Sequence, residues 1–191
     1  MKVCVCGGTN PVTNAKFTDC VRRIGELFCD NEIELNWGGN KFGVLATIHQ
    51  VYVERQKPNT LYLPKVYIDD LNGMTTDKVV VVDTISERQD AMSHNSDAIV
   101  FVPGGIGTLY EFWASVEALR SGEISAKLFL YNFEGFYDKQ IEFYDFINQN
   151  GFTKTGVGGS PYKINPEDLF TVVSTPEELI KELLKLKKTK K

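Results

Sequence analysis

One glycine-rich segment of the sequence has the residue types needed to hold an anion. Residues 103–108 read Pro-Gly-Gly-Ile-Gly-Thr and lie between an apolar run at 98–102 and an amphipathic stretch at 108–121. Glycines let a backbone approach a ligand closely, and the first amides of a following helix carry partial positive charge. Three glycines in so short a segment exceed what a simple strand-to-helix turn requires. We therefore predict a phosphate-binding loop formed by Gly104, Gly105, Gly107 and Thr108.

Two glycine pairs follow the first two predicted strands. Gly7-Gly8 comes after the run at 2–6, and Gly38-Gly39 comes after the run at 33–37. In a parallel sheet, ligands gather beyond the carboxyl ends of the strands, near the point where the strand order reverses. We therefore expect both glycine pairs to line the site that contains the phosphate loop.

Two common phosphate-binding signatures do not fit this chain. A P-loop requires GxxxxGK[ST], and no lysine follows Gly107. A dinucleotide-binding fold requires GxGxxG after the first strand, but that strand ends here in Cys-Gly-Gly-Thr-Asn-Pro. The sequence therefore disfavours a nucleoside triphosphatase and an NAD-dependent enzyme.

Strands and helices are predicted to alternate along the whole chain. Short apolar or β-branched runs predict strands at 2–6, 33–37, 59–63, 78–82, 98–102, 127–131 and 169–173. Helical spacing of apolar residues predicts helices at 14–30, 43–55, 84–95, 108–121, 136–149 and 176–187. Right-handed βαβ connections then give an α/β fold, a Rossmann-like three-layer sandwich with a mainly parallel sheet and helices on both faces. We expect one domain over 1–191, with a basic tail at 185–191.

Local patterns add two expectations about burial and helix starts. The runs at 78–82 and 98–102 are almost continuously apolar, which is typical of strands covered on both faces. The pattern T-x-x-E, typical of a capping box, occurs at 84–87, 108–111 and 175–178. Capping alone would therefore explain Glu111.

Composition and charge exclude several classes of protein. The net charge is −4, and it becomes −9 once the five lysines of the tail at 185–191 are set aside, which disfavours a nucleic-acid-binding surface. No apolar run approaches the roughly 20 residues needed to cross a bilayer, and Met1 leads directly into a strand. We expect a cytoplasmic protein with no membrane partner.

The cysteines argue against a metal site. They lack CxxC spacing and a neighbouring histidine cluster, and we expect buried, reduced thiols at Cys4, Cys6, Cys20 and Cys29. We therefore expect no metal and no redox cofactor.

Two motifs together resemble a known family. Val-Pro-Gly-Gly-Ile-Gly-Thr-Leu-Tyr-Glu at 102–111 resembles the PGGxGTxxE motif of the LOG family, the cytokinin riboside 5′-monophosphate phosphoribohydrolases, also called lysine decarboxylase-like. Ser-Glu-Arg-Gln-Asp-Ala-Met at 86–92 resembles the family's second motif, in which an Arg-Lys pair opens the preceding helix. The glycine pairs, Leu-Pro-Lys at 63–65 and Asn-Phe-Glu-Gly-Phe-Tyr at 132–137 extend the resemblance over nearly the whole chain.

The resemblance implies a homodimer that hydrolyses the N-glycosidic bond of a nucleoside 5′-monophosphate, such as AMP or a cytokinin nucleotide, without a cofactor. Glu111 matches the family's catalytic glutamate, which would stabilise an oxocarbenium-like sugar or position water. Arg88 matches the catalytic arginine, which would orient Glu111 and help to fix the nucleotide.

This chain departs from the family pattern at three positions near these motifs. Gln89 stands where the family has lysine, Tyr110 replaces the first of two adjacent glutamates, and Asn40 replaces a third glycine after strand two. These changes alter the pocket around the base and ribose, so the identity of the base stays open.

Other functions remain open at this stage. A non-catalytic nucleotide or molybdenum-cofactor carrier would keep the pocket without turnover, and nucleoside deoxyribosyl transfer uses related sugar chemistry. Lysine decarboxylation would require a lysine bound to pyridoxal phosphate, and only Lys41 and Lys65 lie beside the glycine segments. The joint presence of Arg88 and Glu111 favours the hydrolase.

Overall fold

The computed structural model describes residues 1–11, 14–71, 74–153 and 164–189. Within these ranges, the chain forms seven strands and six α-helices, and an α-helix follows every strand except the third, which leads into a 3₁₀ helix at Lys65–Leu71. The strands are β1 (Lys2–Cys6), β2 (Glu34–Trp37), β3 (Asn59–Pro64), β4 (Lys78–Val82), β5 (Ala98–Phe101), β6 (Lys127–Tyr131) and β7 (Thr171–Val173). The helices are α1 (Ala15–Asp30), α2 (Gly43–Glu54), α3 (Ile85–His94), α4 (Ile106–Ser121), α5 (Asp138–Gln149) and α6 (Pro176–Thr189).

The seven strands form one sheet in the order β4-β3-β2-β1-β5-β6-β7, and every neighbouring pair is parallel. The chain proceeds from β1 outward to β4, then returns to β5 on the other side of β1. The strand order therefore reverses between β1 and β5, which is where such sheets form a ligand crevice. The predicted Rossmann-like α/β fold is confirmed.

Alternating side chains of the central strand supply two hydrophobic cores, one on each face of the sheet. Val3 and Val5 pack in the core that includes residues of α1, α2 and α6. Cys4 and Cys6 pack in the core that includes residues of α3, α4 and α5. Both faces of β1 are covered, so the glycine pair that follows this strand is attached to a fully buried strand.

One prediction about burial is wrong. Strand β5 is buried along its whole length, as predicted, because β1 and β6 flank it. Strand β4 is instead the edge strand, and Val79 and Val81 are 39% and 44% exposed. An apolar run does not show which strands will lie beside it in the sheet, so the sequence alone does not distinguish an edge strand from a central one.

Two of the three predicted capping boxes are present. The hydroxyl of Thr84 accepts a hydrogen bond from the amide of Glu87, at 3.1 Å, and Thr175 does the same for Glu178, at 3.1 Å. The third prediction is wrong, because α4 begins at Ile106 and its N-cap is Gly105, three residues before Thr108.

The remaining expectations have mixed outcomes. All four cysteines are free thiols, but Cys20 is only half-buried, unlike the other three. Of the long segment predicted at 151–167, residues 154–163 lie outside the described residues, as does the end of the basic tail at 190–191. None of the helices in the described ranges is long and apolar enough to cross a membrane.

Candidate active site

A cavity of about 910 Å³ opens at the carboxyl ends of β1, β2 and β5, where the strand order reverses. The residues predicted for the site converge there from four separate βα units. All ten line this cavity: Gly7, Gly8, Gly38, Gly39, Arg88, Gly104, Gly105, Gly107, Thr108 and Glu111.

The glycine loops are packed against each other, backbone to backbone. The amide of Gly8 donates a hydrogen bond to the carbonyl of Pro103, at 3.0 Å. A Cβ atom on Gly104 would lie 2.7 Å from the Gly8 nitrogen and would collide with the Thr108 hydroxyl. The close approach of Gly8 and Thr108 is therefore sufficient to require glycine at position 104.

The next two glycines of the loop face open space. A Cβ on Gly105 or on Gly107 would meet nothing within 4 Å. Gly105 is the N-cap of α4 and has no side chain that could cap the helix. The first amides of α4 have no partner within the helix, so they can donate to a ligand in the cavity. This geometry suits a phosphate group.

Glu111 lies beyond the first turn of α4 and points to α3 rather than back to the start of its own helix. Its Oε1 accepts a hydrogen bond from Nη2 of Arg88, at 3.0 Å. The two side chains are only 10% and 18% exposed, whereas most ion pairs of this protein are at the surface. The capping explanation for Glu111 is therefore ruled out by the geometry of α4.

Burial dominates the electrostatics of Glu111. It raises the pKa of the carboxyl group, and the charge of Arg88 and a hydrogen bond with the Cys6 thiol oppose that increase. The pKa of Cys6 is itself raised, by its hydrogen bond with Cys4 and by burial. A carboxyl group with a raised pKa can exchange a proton closer to neutral pH, which suits general acid–base work.

The glycine pair after β2 makes room for the arginine. A Cβ on Gly38 would lie 3.2 Å from Nη1 of Arg88 and 3.4 Å from Cζ, so the Gly38 backbone lies against the guanidinium group. Gly39 adopts a φ of +78°, which disfavours other residues. This pair therefore supports the site through Arg88 and through the shape of the turn.

The three departures from the family pattern have distinct surroundings. Gln89 does not enter the cavity; it is buried between α3 and α4. Tyr110 is exposed, and its hydroxyl lies 3.5 Å from that of Ser86. Asn40 lines the cavity and uses its Oδ1 to accept a hydrogen bond from the amide of Phe42, at 3.0 Å.

Sequence reasoning missed an aromatic wall of the cavity. Phe17, Phe42, Tyr67 and Phe136 line it, and the rings of Phe17 and Phe136 lie 5.7 Å apart at 78°. These residues come from different elements, so no local pattern connects them.

A second missed residue supports the predicted phosphate-binding loop. The hydroxyl of Tyr137 donates a hydrogen bond to the carbonyl of Val102, at 2.7 Å, directly before the loop. The Asn-Phe-Glu-Gly-Phe-Tyr segment was the available signal, but it did not reveal this contact.

Similarity to known proteins covers most of the chain. The family described as "Possible lysine decarboxylase" matches residues 34–183. The probable cytokinin riboside 5′-monophosphate phosphoribohydrolase LOGL1 of Oryza sativa subsp. japonica is 28% identical over 80% of this chain and 69% of its own length. The cytokinin riboside 5′-monophosphate phosphoribohydrolase LOG1 of Arabidopsis thaliana is 26% identical over 95% of this chain and 82% of its own length.

A solved structure supports the fold. The Moco carrier protein of Chlamydomonas reinhardtii superposes with a TM-score of 0.69 over 98% of both chains, at 17% identity. Identity this low supports the shared fold alone. The extent of the family match decides the assignment, and the chain belongs to the lysine decarboxylase-like, or LOG, family.

Proposed function

We propose that this protein hydrolyses the N-glycosidic bond of a nucleoside 5′-monophosphate, releasing a free base and ribose 5-phosphate. The observation that carries the proposal is the buried Arg88–Glu111 pair, which lines the same cavity as an uncapped helix start. The relatives from rice and Arabidopsis carry names that specify this reaction on cytokinin nucleotides.

The reaction separates naturally into binding and bond cleavage. The 5′-phosphate is held at the start of α4, where Gly105 and Gly107 leave the amides accessible. This anchor fixes the ribose beside Glu111. The aromatic wall, formed by Phe17, Phe42, Tyr67 and Phe136, offers stacking surfaces to the base.

Cleavage breaks the bond between C1′ of ribose and the base nitrogen, whose electron pair leaves with the base. Positive charge develops on the sugar, and the carboxylate of Glu111 stabilises it or accepts a proton from the attacking water. The water oxygen bonds to C1′, and a proton passes to the departing base. Arg88 keeps Glu111 oriented and ionised in a buried setting.

Substrate turnover tests the proposal directly. AMP, CMP, GMP, UMP and N6-isopentenyl-AMP are incubated with the protein, and free base is measured by liquid chromatography. The matched control is Glu117→Gln, which changes an exposed glutamate on the same helix, and it should retain the parental rate. Binding of nucleotides without release of base from any of them would overturn the proposal in favour of a carrier.

We also propose a homodimer, which rests on the family resemblance. Leu109 and Tyr110 are exposed on α4 close to the cavity, and aromatic side chains often anchor interfaces. Light scattering at micromolar concentration should give twice the mass of the 21.5 kDa chain. A fully active monomer would contradict the dimer without affecting the proposed reaction.

A further inference from the structure

We propose that Gln89 is a positioning residue that holds the backbone of Glu111 in place. Because its amide is neutral, this contact adds no positive charge to that of Arg88. This inference rests on the proposed function, because it assigns Gln89 to the machinery of that site. Gln89 lies next to Arg88 on α3 but faces the interior, and it is only 4% exposed.

The amide of Gln89 connects α3 to α4 at Glu111 itself. Its Nε2 donates to the hydroxyl of Ser115 at 2.9 Å and contacts the backbone carbonyl of Glu111 at 3.3 Å. It also lies 3.1 Å from the hydroxyl of Ser93, on its own helix. Adjacent residues of α3 therefore hold Glu111 at two points: Arg88 holds the carboxylate, and Gln89 holds the backbone.

The hydrogen-bonding groups around the Gln89 amide indicate that this side chain does more than fill space. Three oxygen atoms surround Nε2, which has two hydrogens. The Oε1 atom of Gln89 is buried and accepts no hydrogen bond from any described residue. A hydrophobic side chain would avoid that unpaired oxygen, whereas an ammonium group would match all three acceptors.

A neutral side chain here affects the charge balance of Glu111. Among the described residues, the titratable and charged groups that interact with Glu111 are Arg88 on α3, Cys6 on β1 and Tyr137 before α5. Of these, only Arg88 carries positive charge. A cation at position 89 would add a second one and would favour the ionised carboxylate.

Two substitutions separate position from charge. Gln89→Met keeps the length of the side chain and removes its hydrogen bonds, and Gln89→Lys restores three donors and adds charge. The matched control is Gln140→Met, which changes an amide on α5 whose buried Nε2 and Oε1 make no hydrogen bond to the described residues. Each protein is assayed for kcat and KM across pH, and the Glu111 carboxyl is titrated by 13C NMR, with Glu111→Gln identifying its signal.

The expected results differ between the two variants. Gln89→Met should lower kcat between about tenfold and hundredfold with little change in KM, because small displacements of a catalytic group are costly. Gln89→Lys should lower the pKa of Glu111. Because the ionised carboxylate is the active form, activity rises as pH passes that pKa, so the acid limb of kcat should move to lower pH in parallel.

The outcomes that overturn the inference are equally specific. If Gln89→Met keeps the parental kcat, or if Gln89→Lys leaves the Glu111 titration unchanged, Gln89 serves packing only. If Gln89→Met does not fold, Ser115→Ala replaces it as the test. This smaller change removes one acceptor of the Gln89 amide, and it should lower kcat by less than Gln89→Met would. The NMR titration requires no turnover, so a protein that releases no base would refute the proposed function while still testing Gln89.

Discussion

Helices α3 and α4 both begin near the sequence T-x-x-E, but they use it differently. At α3, Thr84 is the N-cap, and Glu87 reaches back to accept a hydrogen bond from the amide of Asp83 at 2.8 Å. At α4, Gly105 is the N-cap, and Glu111 accepts from Arg88 instead. The first glutamate is exposed and the second is buried.

The glycine loop causes this difference. Because Gly104 allows Gly8 and the Thr108 side chain to approach, the chain enters α4 before it reaches the threonine. Glu111 is thereby placed beyond the first turn, on the face of α4 that covers Cys6. The same T-x-x-E pattern can thus form a capping box or place its glutamate in a buried ion pair, and the preceding backbone decides between them.

The largest expected effect is on turnover. Glu111→Gln keeps the size and a hydrogen-bond acceptor for Arg88 but removes the negative charge, so we expect kcat to fall by roughly 10²–10⁴. Nucleotide affinity should change far less, because the proposed phosphate site is the glycine loop and not Glu111. The comparison variant is Glu87→Gln, which a capping box accepts and which should leave turnover unchanged. Equal rates for both variants would show that Glu111, like Glu87, has no catalytic role.

The partner of Glu111 should show a related loss. Arg88→Ala leaves a buried carboxyl without its cation, so its pKa should rise further and kcat should fall by about 10²-fold or more. Residues that act as a unit show non-additive effects. The double variant, measured by single-turnover kinetics, should therefore be less impaired than the product of the two losses. A fully multiplicative loss would indicate independent roles.

The sequence predicts the fold well because periodicity and glycine positions define strands, helices and their alternation. It also identifies ten of the residues that line the cavity, since each lies at a strand end or on the following helix. It fails where the answer depends on distant contacts. The exposure of Val79 depends on its place at the sheet edge, and the convergence of Phe17 with Phe136 depends on the packing of α1 near the start of α5.

The next effect concerns the start of α4 as an anion site. One hydrogen bond to a charged group contributes about 1.5–3 kcal/mol, which corresponds to a factor of about 10–150. We therefore expect kcat/KM for AMP to exceed that for adenosine by at least about tenfold. Inorganic phosphate should inhibit AMP hydrolysis competitively. Similar kcat/KM values for the nucleotide and the nucleoside would show that the loop does not bind phosphate.

The smallest effect tests the two threonines by removing only their hydroxyl groups. Thr84→Val deletes the N-cap of α3, so the free energy of unfolding should fall by about 1 kcal/mol, with turnover near the parental value. No side chain caps α4, so Thr108→Val, which keeps the size of this buried side chain, should lower the free energy of unfolding by less than Thr84→Val does. Because Thr108 lines the cavity, the same change should weaken AMP binding. Urea unfolding at equal m-values and AMP titration measure the two effects separately. An equal loss of stability in both variants would show that Thr108 also supports the helix, and the contrast between α3 and α4 would then rest on the glutamates alone.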